Sequence, residues 1–299
     1  MDVSDPAAHP AHIEQVSVGG TQLYLRVIGA GPPVIVLHGG PDFDHTYLLP
    51  ELDHLADVCR LVYYDQRGRG RSGENVTADA VDIESEMFDI DAVRRHIGAD
   101  AIALLGHSWG GVLAMEYATR HPDRVSHLIL MNTTPASATG WAELREHIAH
   151  RRPPGDLDAM AAIKATREYA RGDIAAEIEY YRIHFRHAIR TPDGAERIVQ
   201  RLRTHFTAQD VLLARAVEDH LAGQTTEHAG WNLHPKLNRL SIPTLVVHGD
   251  HDLIPVAMAA HIADAIPGAL FTVLANCGHF AYLERPEAVH RLIEDLLNA

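Results

Sequence analysis

The chain has 299 residues, of which 46% are hydrophobic, and a formal net charge of −14. This size and hydrophobic content allow one large α/β domain, or a domain that carries an insertion. The acidic balance argues against a nucleic-acid surface and against binding to anionic membranes, because Lys and Arg dominate no long segment. The charge therefore leaves small or neutral substrates as the open class. No run reaches the roughly 18 apolar residues that a membrane-spanning helix needs.

The cysteine content and the first residues predict the compartment. Cys59 and Cys277 are too few for a disulfide scaffold, so we interpret both as free thiols in a reducing compartment. Residues 1–12 lack the basic start and apolar region of a signal peptide and are expected to form a short mobile leader. These features predict a cytoplasmic protein.

The first segments read as the edge of a sheet followed by a buried strand. Apolar residues at 16–18 and 23–27 flank Gly19-Gly20, which predicts a hairpin. Pro33–Leu37 is a short apolar run that opens into the glycine-rich loop His38-Gly39-Gly40-Pro41-Asp42. This run predicts a buried strand that ends at the loop.

The next segments alternate between helical and strand patterns. The predicted order is helix 47–56, strand 59–64, helix 80–97, strand 101–105, a helix from residue 112 and strand Val125–Met131. Such alternation predicts a doubly wound, mostly parallel sheet with right-handed crossovers.

The alternation stops after this strand, because 135–237 contains helical patterns and no convincing buried strand. The predicted helices are 141–150, 157–171, 174–189, 195–206 and 211–221. We interpret 135–237 as a helical cap, here called the cap segment. It separates an N-terminal core part, 1–134, from a C-terminal core part, 238–299.

The α/β pattern resumes after the cap segment. A strand at 242–248 leads into Gly249-Asp250-His251-Asp252, and a strand at 269–274 leads into Asn276-Cys277-Gly278-His279. A helix is predicted at 256–266, and residues 286–297 form an amphipathic helix that closes the chain.

Gly106-His107-Ser108-Trp109-Gly110 has the form G-x-S-x-G and lies between a predicted strand and a predicted helix. A serine on so sharp a turn has unfavourable backbone angles and needs neighbours without bulky side chains. The turn exposes the Ser108 hydroxyl and directs the first N–H groups of the helix at whatever the hydroxyl attacks. Trp109 N–H is therefore a candidate oxyanion donor.

A serine hydroxyl needs a base to take its proton, and the base needs a partner to fix its tautomer. His279 follows one predicted strand, and the acids Asp250 and Asp252 follow another. Loops after parallel strands converge at the carboxyl edge of the sheet, where ligands bind. The chain order Ser, Asp, His is that of the α/β-hydrolase fold.

Three motifs carry a resemblance: the loop 38–41, the segment 65–72 with the sequence DQRGRGRS, and the turn 106–111. With them, 16–297 outside the cap segment resembles the α/β-hydrolase superfamily, most closely its proline iminopeptidase branch. This implies an α/β-hydrolase fold: a mostly parallel twisted sheet flanked by helices, with an inserted helical cap.

The same resemblance implies roles for particular residues. Asp252 rather than Asp250 is the acid, because it ends a Gly-x-x-Asp pattern before Leu253-Ile254-Pro255. Ser108 is then the nucleophile and His279 the base. Gly40 N–H joins Trp109 N–H in the oxyanion hole.

The chain departs from the branch at Asp42, where members usually carry glycine, and at His107, where they often do. Members use cap glutamates to hold a substrate α-ammonium, and Glu177 and Glu179 beside Tyr181 are the candidates here. The alternative is an exposed acidic helix face with aromatic core residues behind it.

Other polar residues near these motifs have structural interpretations. His38 and His107 are expected to pack and hydrogen-bond rather than act as bases. Arg67 and Arg71 are expected to tie loops together through carboxylates, unless one of them lines the pocket.

The sequence predicts neither a metal nor a cofactor. The 22 histidines include pairs spaced three apart, but no H-E-x-x-H and no evident third ligand. No P-loop is present, and no G-x-G-x-x-G follows the first strand.

We therefore expect a serine hydrolase that cleaves an ester or amide bond of a small molecule or short peptide through an acyl-enzyme. It resembles proline iminopeptidases, and a carboxylesterase or lactonase without peptidase activity is the alternative. A hydrolase-like protein that only binds a ligand is the third hypothesis.

Overall fold

The computed structural model describes residues 9–191 and 193–299. Most of the predicted leader, residues 1–8, lies outside the described part. Within the described part, eight strands form one sheet in the order β1-β2-β4-β3-β5-β6-β7-β8. The strands are β1 (His12–Val18), β2 (Thr21–Ile28), β3 (Pro33–Leu37), β4 (Arg60–Tyr64), β5 (Ile102–His107), β6 (Val125–Met131), β7 (Thr244–Gly249) and β8 (Leu270–Leu274).

The sheet is parallel from β4 to β8, and only the hairpin strands β1 and β2 run antiparallel to their neighbours. The register aligns the carboxyl ends of the central strands. Leu37 pairs with Gly106, His107 with Met131, and Met131 with Val247. The loops after β3, β5, β6 and β7 therefore leave the sheet side by side.

The central strands are apolar on both faces because helices cover both faces. Ile35 and Leu37 belong to one buried core, whereas Val34 and Val36 belong to the other. This is the two-residue alternation of a strand, with every position buried. The predicted buried strands of the core are confirmed.

The helices are α1 (Ile83–His96), α2 (Trp109–Arg120), α3 (Ala138–Arg151), α4 (Pro154–Lys164), α5 (Arg167–Ala170), α6 (Ile174–Phe185), α7 (Gly194–Val199), α8 (Ala208–Gln224), α9 (His234–Leu237), α10 (Val256–Ala265), α11 (Ala281–Glu284) and α12 (Pro286–Leu297). None of the helices in the described residues is both long and apolar enough to cross a bilayer. The closing helix α12 is amphipathic as predicted and buries Val289, Ile293 and Leu296.

Several predicted helix boundaries were wrong for local reasons. The segment 47–56 forms 3₁₀ turns on either side of Pro50, because proline cannot continue a helix. The helix predicted from residue 80 begins at Ile83, since the Asp82 side chain accepts from Ser85 N at 2.7 Å and caps it. The segment 157–171 divides into α4 and α5.

The division of 157–171 has the same cause, because Thr166 caps a new helix by accepting from Tyr169 N at 3.1 Å. The helix predicted at 195–206 ends at Val199 and continues as turns.

Between β6 and β7 the described residues form helices and no strand of the sheet. The two ends of this segment meet, because Ser137 and Asn232 form an isolated antiparallel bridge. Ala138 N donates to Trp231 O at 3.0 Å beside it. This closure agrees with an insertion, and the cap boundaries 135 and 237 stay a prediction.

Two helical glycines test how tightly the first turn of α2 is packed. A Cβ at Gly110 would lie 2.0 Å from Leu37 O, whereas one at Gly223 in α8 would meet nothing within 4 Å. We expect Gly110→Ala to destabilise the fold by about 1–3 kcal/mol. Gly223→Ala should stabilise it by up to about 1 kcal/mol. Urea titration of both variants measures the difference, and equal effects would contradict the packing described here.

Candidate active site

Ser108 occupies the sharp turn between β5 and α2. Its backbone has φ 56° and ψ −120°, a conformation that few non-glycine residues adopt. The turn requires small neighbours, since a Cβ at Gly106 would lie 2.4 Å from Gly110 O. A Cβ at Gly39 would lie 2.9 Å from Ser108 Cβ, so the loop after β3 also contacts the serine closely.

The structure brings Ser108, His279 and Asp252 together. Ser108 Oγ lies 3.1 Å from His279 Nε2. His279 Nδ1 lies 2.9 Å and 3.1 Å from the two carboxylate oxygens of Asp252. This is the geometry in which a carboxylate fixes the imidazole tautomer that can take a hydroxyl proton.

Asp252 is buried and held by further donors. Its oxygens accept from Ile254 N at 3.0 Å and from Asn132 Nδ2 at 2.8 Å. Burial alone would raise the pKa of Asp252, but the nearby His279 and His248 and the hydrogen bonds from His279 and Ile254 N lower it to about 2. The carboxylate is therefore ionised at neutral pH.

Asn132, which belongs to none of the sequence motifs, also holds this part of the site. It follows β6 directly, has φ 49°, and its amide bridges Asp252 and Gly278 O. An asparagine after a central strand was the available signal, because asparagine tolerates this backbone region.

Asp250, the alternative acid, lies apart from His279. It accepts from Cys277 N at 3.0 Å and pairs with His251 at 2.6 Å near the surface.

Two backbone N–H groups border the serine. Gly40 and Trp109 both line the cavity that contains Ser108. Within the described chain, neither N–H donates to another protein group. Gly39 N–H, by contrast, is engaged with the Tyr47 hydroxyl at 2.8 Å. Gly40 and Trp109 are therefore the N–H groups available to an oxyanion.

His107 connects Tyr47, which follows the loop 38–42, with the backbone of His279. Its Nε2 lies 2.9 Å from His279 O and its Nδ1 lies 2.7 Å from the Tyr47 hydroxyl. Burial and the nearby His279 lower the pKa of His107 to about 3, so it is neutral. A neutral ring that donates from Nε2 accepts the Tyr47 proton at Nδ1, which leaves the Tyr47 oxygen to accept Gly39 N–H. His107 thus has the packing and hydrogen-bonding role predicted for it.

The cavity at Ser108 has a volume of about 280 Å³ and lies between the loops of the sheet and the cap segment. Its wall is largely aromatic and apolar, and it includes Phe43, Tyr47, Trp141, Leu144, Tyr181, Phe185 and Phe280. Glu218 and Lys164 also line it, and neither forms an ion pair within the described chain. Burial, with a contribution from Asp42, raises the pKa of Glu218 to about 8.

The glutamates expected to meet a substrate amine lie elsewhere. Glu179 is half-exposed and pairs with Arg182. Glu177 is fully buried and accepts from Arg203 and Arg215. Neither side chain belongs to the cavity wall. The sequence could not predict this, because the helical pattern of α6 does not indicate which face turns inward. Tyr181 does line the cavity as expected.

Asp42 belongs to a buried charge cluster that joins the loop 38–42 to the cap segment. Arg203 has no exposed side-chain surface and contacts the carboxylates of both Asp42 and Glu177. The Tyr181 hydroxyl donates to Asp42 Oδ2 at 2.9 Å. Arg215 supplies the second positive charge, on Glu177. Two carboxylates and two guanidinium groups thus compensate one another.

The remaining candidates have structural roles. His38 accepts from Gln66 N at 3.0 Å, and burial and the nearby Arg69 lower its pKa to about 3. Arg67 pairs with Asp89, and Arg71 pairs with Asp65. Among residues 9–191 and 193–299, no three metal-ligating side chains are grouped as a metal site.

Comparisons with known proteins agree with this architecture. The sequence model of the alpha/beta hydrolase fold family matches residues 32–286. A proline iminopeptidase of Lactobacillus delbrueckii subsp. bulgaricus is 28% identical, over 93% of this chain and 95% of the relative.

Two solved structures are also similar. A proline iminopeptidase of Mycobacterium smegmatis superposes with a TM-score of 0.71 at 26% identity, over 96% of this chain and 98% of that chain. A thermophilic esterase of Thermogutta terrifontis has a TM-score of 0.66 at 25% identity, over 96% and 98%. The predicted fold class and the resemblance are confirmed.

The buried charge cluster around Arg203 should contribute to the free energy of unfolding. Arg203→Met leaves two buried carboxylates without this partner, and we expect a loss of about 3–5 kcal/mol in the free energy of unfolding. Arg182→Met, which removes a partly exposed arginine from Glu179 and Glu196, should cost less than about 1 kcal/mol. Denaturant titration gives both values. A small loss for Arg203→Met would mean that the cluster is hydrated rather than closed.

Proposed function

Because the chain belongs to the alpha/beta hydrolase fold family, we propose that it is a serine hydrolase that cleaves an ester or amide bond through an acyl-enzyme. The observation that carries the proposal is the continuous hydrogen-bonded series Ser108, His279 and Asp252. The serine opens onto a cavity lined by Gly40 and Trp109, whose N–H groups have no acceptor among the described residues.

In the proposed mechanism, Ser108 Oγ attacks the substrate carbonyl carbon while His279 Nε2 takes the hydroxyl proton. The ionised Asp252 accepts from His279 Nδ1–H and stabilises the imidazolium that forms. Gly40 and Trp109 N–H groups donate to the oxyanion of the tetrahedral intermediate, where each such donor lowers the barrier by about 3 kcal/mol.

His279 then gives the proton to the departing oxygen or nitrogen, which leaves an ester on Ser108. A water molecule that loses its proton to His279 hydrolyses this ester, and the serine recovers its proton as the acid is released.

We propose that the acyl part of the substrate carries a free amine and that Glu218 binds it. Glu218 lines the cavity and forms no ion pair within the described chain, and the charges of Arg203 and Lys164 act on it only at longer range. An ammonium ion beside it would compensate the ionised carboxylate and lower the raised pKa. The proline iminopeptidase relatives support release of an N-terminal residue from a short peptide.

The second candidate is an esterase or lactonase activity without a requirement for an amine. It is favoured by Lys164, a cation in the same cavity that lies over the Tyr180 ring and forms no ion pair within the described residues. A carboxylate on the acyl part would form an ion pair with Lys164, just as an ammonium group would form one with Glu218. The esterase neighbour is consistent with this alternative.

The proposed mechanism predicts unequal effects at the two aspartates after β7. Ser108→Ala and Asp252→Asn should each lower kcat by at least about 10³-fold, because they remove the nucleophile and the group that fixes the histidine tautomer. Asp250→Asn is the matched control and should change kcat by less than about tenfold. Release of p-nitroaniline from proline p-nitroanilide and of p-nitrophenol from p-nitrophenyl butyrate measures turnover. A fully active Ser108→Ala variant would refute the mechanism.

The amine site predicts a selective effect at Glu218. Glu218→Gln should raise KM for proline p-nitroanilide by about 10- to 100-fold, the size of a charged hydrogen bond, and leave p-nitrophenyl butyrate nearly unchanged. Glu179→Gln is the matched control and should affect neither substrate. Turnover of the butyrate ester alone by the wild type would instead favour the second candidate, and Lys164→Met would then be the informative variant.

The same variant has a stability readout that does not depend on turnover. The folded pKa of Glu218, about 8, lies above its ordinary value of 4.5. The stability that this protonated group contributes is therefore complete below pH 4.5 and is lost as the pH rises through 8. Glu218→Gln should accordingly gain Tm relative to the wild type between pH 5 and pH 8.5. An unchanged difference would mean that the carboxyl group is hydrated.

A further inference from the structure

A second cavity of about 500 Å³ adjoins the one that contains Ser108. It lies where the end of α3 and the end of α6 approach the loop after β7. Ile148, His184 and Leu253 line both cavities, so they form the wall or passage between them. We call the second cavity the basic groove, for the arginines that line it: Arg151, Arg152, Arg186 and Arg190.

The other charged side chains in the basic groove already have hydrogen-bond or ion-pair partners. Arg186 pairs with Asp156 at 2.9 Å. Asp250 lies within hydrogen-bonding distance of His251, at 2.6 Å, and Asp252 accepts a hydrogen bond from His279. Within the described chain, Arg151, Arg152 and Arg190 form no ion pair with a carboxylate. These three arginines outnumber the two carboxylates that line the groove, Asp250 and Asp252, so the groove has a surplus of positive charge on a chain whose net charge is −14.

Arg152 lies at the junction of the two cavities. Its Nη2 donates to His184 O at 3.2 Å, and its Nη1 lies 3.1 Å from Met160 Sδ. Burial lowers the pKa of Arg152. A guanidinium group that is partly desolvated and has no anionic partner is unfavourable, and an anionic ligand would compensate it.

The position of the groove indicates which part of a substrate enters it. His279 Nε2, which lies beside Ser108 Oγ, must reach the leaving group to protonate it, so the leaving group departs on the side of the serine where the His279 ring lies. Asp252 and Leu253 line the groove on that side. The first cavity, with Glu218, is left for the acyl part.

We propose that the basic groove binds an anionic group, a carboxylate or a phosphate, on the leaving part of the substrate. This inference rests on the proposed acyl transfer at Ser108. For a short peptide the anion is the C-terminal carboxylate, and for an ester it is an acid on the alcohol part. Arg152 meets it at the junction, and Arg151 and Arg190 attract it from the outer part of the groove.

The test uses one acyl group, prolyl or butyryl, whichever the enzyme turns over as its p-nitrophenyl or p-nitroanilide derivative. It is attached to 4-hydroxyphenylacetate, to 4-hydroxyphenylacetamide and to 4-hydroxybenzyl phosphate through the phenol oxygen. We expect kcat/KM for at least one anionic leaving group to exceed that for the neutral leaving group, 4-hydroxyphenylacetamide, by about tenfold. The preference should decrease as ionic strength rises. The anion with the larger ratio is the one that the groove binds.

The double variant Arg151→Gln/Arg190→Gln removes two exposed charges, and its fold is not at risk. It should bring the ratio of kcat/KM for anionic and neutral leaving groups close to one. The value of kcat/KM for the neutral 4-hydroxyphenylacetamide substrate should stay within about twofold of the wild type. Arg145→Gln, an exposed arginine on the same helix α3, is the matched control and should keep the wild-type ratio. A wild-type ratio near one, or a ratio that survives in the double variant, would overturn the proposal.

Direct binding separates this inference from the proposed function. Calorimetric titration of Ser108→Ala with 4-hydroxyphenylacetate and with 4-hydroxybenzyl phosphate reports on the groove without turnover. Binding of either anion that is lost with Arg151→Gln/Arg190→Gln supports the groove even if no acyl substrate is cleaved. No binding of either anion, in an enzyme that hydrolyses p-nitrophenyl butyrate, overturns the groove and leaves the hydrolase intact.

Discussion

A buried guanidinium group, that of Arg203, joins the cap segment to the loop that follows β3 beside Ser108. Arg203 contacts Asp42, two residues beyond Gly40, and Glu177 of α6. Its guanidinium carbon also lies 4.8–5.4 Å from the centroids of the Phe43, Tyr181 and Phe206 rings. A buried cation with two anions and aromatic faces has few alternative positions, since any shift would leave charges unpaired. The loop 38–42 and the cap segment are therefore held together at this point.

This cluster also explains a departure from the related sequences. Asp42 lies where the proline iminopeptidase branch usually carries glycine. A carboxylate at this position needs a charged or hydrogen-bonding partner, because the cap segment buries it. Arg203 and the Tyr181 hydroxyl supply that partner. His107, the other departure, is likewise satisfied by Tyr47 and His279 O. Both changes add contacts around the serine and leave the three proposed catalytic side chains in hydrogen-bonding order.

The sheet and the positions of Ser108, Asp252 and His279 could be predicted because their signals are local. Apolar runs of five to seven residues mark buried strands, and parallel pairing brings the loops after them to one edge. Side chains of the cap could not be predicted in this way. Glu177, Glu179 and Glu218 all lie in helices, and helical periodicity does not tell which face meets a cavity built by distant segments. The capping residues Asp82 and Thr166 moved boundaries that hydrophobic periodicity alone placed wrongly.

The two cavities differ in the charged groups that they offer a substrate, and this difference implies an orientation for the proposed substrate. The inner cavity offers Glu218 as well as Lys164, whereas the basic groove offers only arginines without a carboxylate partner in the described chain. A substrate with an amine at one end and an acid at the other would bind favourably in only one direction. Its carbonyl would then lie between the two sites, beside Ser108 and the N–H groups of Gly40 and Trp109. Reversed binding would place the amine among the arginines, where like charges repel, so the charges themselves would select the productive orientation.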